Sequence, residues 1–116
     1  MQVLARHQIA EDRKRGEDTR IRTERVRIAL VQAEVDTAFT LLRLAEVETC
    51  GGLDTHAADL ITKAMATHKT ALHYLGTVLP ELEEQRRELH AEVRKLFEAI
   101  RVTERHRRAA GQQTAI

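Results

Sequence analysis

The 116-residue chain is 42% hydrophobic and 32% charged, with five glycines, one proline, one cysteine and a net charge of +1. This balance suits a single domain of helices and excludes a β-sandwich, which needs many more turns. Serine is absent, which removes a serine nucleophile, and the glycines form no phosphate-cradling pattern.

Residues 1–16 read as a charged, flexible N-terminal segment. Arg6, Glu11 and Asp12 interrupt its apolar residues, so it holds no run long enough for the hydrophobic region of a signal peptide. Nor does any later stretch approach the ~20 apolar residues of a membrane span. A lone cysteine has no internal disulfide partner. The expected setting is therefore the cytoplasm, with no membrane contact.

Residues 17–108 read as one helical domain. Ile21, Ile28, Val31, Val35, Ala38, Leu42 and Ala45 recur at three- and four-residue intervals, which places them on one stripe of a helix from about 18 to 50. Leu30, Leu41 and Leu44 are expected to widen that stripe. Glu17-Asp18-Thr19 suits its start electrostatically, and Gly51-Gly52 offers the left-handed conformation that ends a helix. Asp54 is then a suitable cap for a second helix over about 54–76, whose stripe is Ile61, Ala64, His68, Ala71, Leu75 and Val78.

Pro80 interrupts this pattern. Its ring crowds the carbonyl four residues back, which belongs to Gly76, and two geometries follow. In the first, helix 54–76 kinks near Gly76-Pro80 and continues to about Arg108, giving an antiparallel helical hairpin with a long second arm. In the alternative, Pro80 occupies the first turn of a new helix over about 80–108 and the chain closes into a three-helix bundle. The kink is the first expectation, because Thr77, Val78 and Leu79 are poor turn formers. Leu82, Leu89, Val93, Leu96, Ile100 and Thr103 hold the heptad spacing of a coiled coil, and residues 109–116 read as a flexible tail.

These lengths carry the functional expectation. A continuous second arm is about 80 Å long against about 50 Å for the first helix. Its outer half would lack cover, so Leu82, Leu89, Val93, Leu96, Phe97 and Ile100 form the expected partner interface. The chain is thus expected to be an all-α interaction, adaptor or assembly module, forming a homo-oligomer or docking on another helical protein.

Charge supports an alternative. Residues 13–27 carry a net +4 and residues 28–50 a net −3. Arg20, Arg22, Arg25 and Arg27, together with Arg101, Arg105, Arg107 and Arg108, are candidate phosphate contacts for a nucleic-acid-binding protein. Acidic residues interleave with them, and Phe39, Tyr74 and Phe97 make no stacking platform.

Catalytic and metal chemistry find little purchase. The six histidines form no Glu-x-x-His or His-x-x-x-His pattern, so no metal ligands and no cofactor are assigned. His68 lies on the apolar stripe, with Glu34 or Asp36 as an expected polar partner. Cys50 stands at the negative end of the first helix near Glu46 and Glu48, which disfavours its thiolate. No catalytic residue is assigned, and the chain is not expected to be an enzyme.

Overall fold

The computed structural model describes the backbone of residues 2–114 and the side chains of residues 13–16 and 18–112. Three helices fill it: α1 (Gln2–Cys50), α2 (Asp54–Leu75) and α3 (Glu83–Thr114), with a 3-10 turn at Pro80–Leu82 before α3. The protein is all-α. α1 is longer than expected, because Gly16 alone does not break it and the Thr19 hydroxyl donates back to the Arg15 carbonyl instead of capping a new start. Residues 2–17 therefore continue the helix. α3 likewise passes Arg108 and runs to Thr114, while residues 115 and 116 of the expected tail lie outside the described residues.

Gly51-Gly52 makes the first corner. Gly52 has φ +79°, the Leu53 amide donates to the Glu48 carbonyl at 2.8 Å, and the Gly52 amide donates to the Thr49 carbonyl at 3.2 Å. These bonds satisfy carbonyls that the helix end leaves open. Asp54 is not the cap expected of it. Leu53 takes the cap position without a side-chain bond, and the Asp54 carboxylate accepts instead from Arg107 at 2.9 Å.

At Gly76–Leu79 the chain reverses, so the alternative geometry is the one adopted. The Thr77 amide and hydroxyl both donate to the Tyr74 carbonyl, closing α2, and Leu79 is extended at φ −63°, ψ 142°, as a residue before proline prefers. Pro80 then starts the 3-10 turn, where it has no helical amide bond to lose. The poor turn formers are accommodated because Val78 and Leu79 are half-buried rather than left in water.

Cross-chain contacts fix the helix directions. Arg107 of α3 meets Asp54 at the start of α2, whereas His106 meets Glu46 near the end of α1 at 2.8 Å. Hence α3 runs parallel to α1, with α2 antiparallel to both. Val35, Ala38, Leu42 and Ala45 of α1 share one core with Ala57, Ile61, Ala64 and Ala71 of α2 and Leu89, Val93, Leu96 and Ile100 of α3. Alanine recurs every seven residues in α2, so α1 and α2 approach closely while the leucines of α3 fill the remaining space. The result is narrow, 86 × 19 × 15 Å. Arg20 lies 3.8 Å from Glu81 in the second turn, so the part of α1 before it continues beyond that end of the bundle. The side chains described there, at 13–16, 18 and 19, are exposed.

Candidate interaction surface

The expected partner interface is the protein's own core. Leu89 and Leu96 are 0% exposed, and Leu82, Val93 and Ile100 are buried with them. The seam that a kinked arm would have left wet is covered by α1 and α2, because the reversal brings α3 back along both. Phe97 alone keeps a free flank, at 45% exposure, with its ring 5.4 Å from the His68 ring and the Arg101 guanidinium 5.8 Å above it. His68 therefore packs on an aromatic ring of α3, and Glu34 and Asp36, once its expected partners, are exposed on α1.

The uncovered apolar surface lies elsewhere. Leu30 and Leu44 do not widen the core stripe of α1; they are 59% and 47% exposed, as are Val26 and Val47 at 60% and 66%. Together with Thr19, Thr23, Ala33, Thr37 and Thr40 they occupy successive positions at alternating four- and three-residue intervals, and every one of the nine is exposed. A helix with that repeat presents a straight seam to a second helix. The core residues of α1, from Glu24 and Ile28 to Ala45, follow the same repeat about two positions out of phase, so the two seams lie on opposite faces. One faces α2 and α3, and the other faces solvent.

Charge is partitioned around this outer seam. None of its nine members is charged, whereas Arg20, Arg22 and Arg27 flank its first half and Glu34, Asp36 and Glu48 its second, with Arg43 the exception. All four of its threonines return their hydroxyls to the helix: Thr19, Thr23, Thr37 and Thr40 donate to the carbonyls of Arg15, Thr19, Ala33 and Asp36. With those hydroxyls turned inward, the methyl groups remain to contact a partner. The surface was legible in the sequence as a second heptad. It was missed because two apolar stripes on one helix read as a single broad one.

The arginines proposed for nucleic acid separate into two groups. Arg20, Arg22, Arg25 and Arg27 are near the second turn, while Arg101, Arg105, Arg107 and Arg108 lie at the Gly51-Gly52 corner. The groups are about 33 Å apart along the bundle, the rise of a helix from Glu24 to Glu46. The second group sits among Glu46, Asp54 and Glu104. Arg107 bonds Glu104 and Asp54, and Arg108 bonds Glu104. Those bonds hold the Glu104 carboxyl below its ordinary value against the opposing effect of partial burial.

The corner also forms an open cleft of about 590 Å³ lined by Glu46, Thr49, Cys50, Asp54 and His106. Glu46 orients the His106 ring, and the exposed Cys50 thiol shares the cleft without a hydrogen bond among the described residues. Among the described residues no group of three His, Cys, Asp or Glu side chains is placed to hold a metal, and no helix is long and apolar enough to cross a membrane. Comparison of the chain with family models, curated proteins and solved structures gives no match.

Proposed function

We propose that this protein is a helical interaction or assembly module whose docking surface is the outward seam of α1. Its ligand is a second amphipathic helix. The observation that carries this is the run from Thr19 to Val47 in which nine heptad positions bear no charge while the neighbouring positions do. A solvated helix face has no physical need to keep charge out of one line, whereas a helix–helix seam does, since each buried unpaired charge opposes association. The cytoplasm is the proposed setting, supported by a single, exposed cysteine that the fold does not require to be oxidised.

Nucleic-acid binding is the weaker reading, because the two arginine groups stand at opposite ends and the second is already bonded to carboxylates. Sedimentation of Leu30→Glu/Leu44→Glu beside Leu72→Glu tests the choice of face. Leu72 is an exposed leucine of α2, outside the seam. Association lost in the first variant and retained in the second supports the α1 seam; loss in both, or in neither, removes it.

A further inference from the structure

We infer that the helix received by the α1 seam is α1 of a second copy, running antiparallel. This rests on the preceding reading of the seam and adds the identity and direction of its occupant. Charge complementarity selects both. The flanks of the first half carry Arg20, Arg22 and Arg27, and those of the second half carry Glu34, Asp36 and Glu48. A parallel pair sets each half against its own sign. An antiparallel pair sets each half against the opposite sign, twice, by the two-fold axis.

The register is also constrained. A register with the axis at residue 35 would place Glu34 and Asp36 beside it, facing their own copies, which is unfavourable. A slide of one heptad removes that conflict and sets Arg27 beside Glu34 of the second copy on both sides of the axis. Arg22 then meets Arg43, also on both sides of the axis, so these direct contacts offset one another and the antiparallel preference rests on the net sign of the two halves. The seam is exposed throughout, and α2 and α3 lie on the opposite face of α1, so the two bundles meet back to back.

Size sets the strength. A strip about 42 Å long and about 10 Å wide has a footprint on the order of 400 Å² per copy, against roughly 800 Å² of accessible surface per partner in a standard stable complex. Four of its nine positions are threonine. Association is therefore reversible and concentration-dependent, in the micromolar range or weaker.

The single, exposed cysteine provides the test, because it lies just past the end of the seam. A nitroxide attached to Cys50 reports the distance between copies by pulsed dipolar spectroscopy. In the antiparallel pair the two Cys50 backbones are about 45 Å apart with the axis at residue 35 and about 55 Å after the one-heptad slide. A distribution centred in that range, lost with Leu30→Glu/Leu44→Glu, is the expected result. A distance below about 20 Å that is also lost in the variant overturns the antiparallel direction and leaves the seam standing. A wild-type chain that stays single up to several hundred micromolar overturns the second copy as occupant and leaves a seam for another protein's helix. A distance that persists in the variant overturns the seam itself.

Discussion

The Tyr74 hydroxyl donates a 2.6 Å hydrogen bond to a carboxylate oxygen of Glu24, tying α2 to α1 across 50 positions of sequence. Glu24 occupies a core position of the inner seam and is only 7% exposed, with the Arg27 guanidinium 4.0 Å away. A buried carboxylate at a core position is tolerated when its bonds are made, and it fixes which residues face each other. Tyr74→Phe deletes the donor alone. The expected loss is about 1–3 kcal/mol, seen as a lower urea midpoint at unchanged slope. An unchanged midpoint would show that water replaces the bond without cost.

The same phenol reports on pH. Burial first, and then its hydrogen bond to Glu24, push the Tyr74 ionisation well above the ordinary value of 10.0. Above about pH 10 the unfolded chain releases this proton while the folded chain retains it, so stability that is complete below pH 10 falls as pH rises further. Tyr74 is the sole tyrosine and tryptophan is absent, so the tyrosinate absorbance isolates it. The absorbance should appear with unfolding and not before. Tyrosinate forming near pH 10 in a chain that keeps its helical circular dichroism would contradict the tie.

At the other end of the bundle, acid acts with the opposite sign. Arg107 bonds Glu104 and Asp54, and its bonds lower the ionisation of Glu104 from 4.5. The resulting stability is present above the unfolded carboxyl value and is lost as pH falls through the folded one. Arg107→Met should cost about 1 kcal/mol at pH 7 and flatten the acid limb of a stability–pH curve. Equal limbs in both proteins would show that the cluster adds nothing to folding.

Leu96 separates core from interface. It is fully buried among its own chain's helices, so Leu96→Ala should lower stability by about 2–5 kcal/mol and Leu96→Asp should abolish the helical circular dichroism of the whole domain. Survival of a folded but dissociated Leu96→Asp chain would return the residue to a surface between molecules.

Much of the architecture was legible because periodicity is a local property. The inner stripe from Ile28 to Ala45, the corner at Gly51-Gly52 and the heptad from Leu82 to Ile100 all follow from residue spacing alone. The reversal at Gly76–Leu79 did not, since Gly76 and Pro80 serve a kink and a turn equally well, and only packing of α3 on both other helices selects the turn. The length mismatch that suggested an uncovered α3 arose from treating residues 54–108 as one arm. On α1, Leu42 and Leu44 carry equal hydrophobicity and similar spacing. What directs Leu42 inward is the closer approach permitted by Ala38 and Ala45 against Ala57, Ala64 and Ala71, a tertiary fact that no single helix reveals.

Solution mass across a dilution series, for the wild-type chain and for Leu30→Glu/Leu44→Glu, bears most directly on the outer seam of α1 as the docking surface. The wild-type mass should rise from the 13.2 kDa of one chain toward twice that value between micromolar and several hundred micromolar protein. The double variant should keep its helical circular dichroism and stay at one chain throughout. Equal association of the two proteins would contradict the assignment.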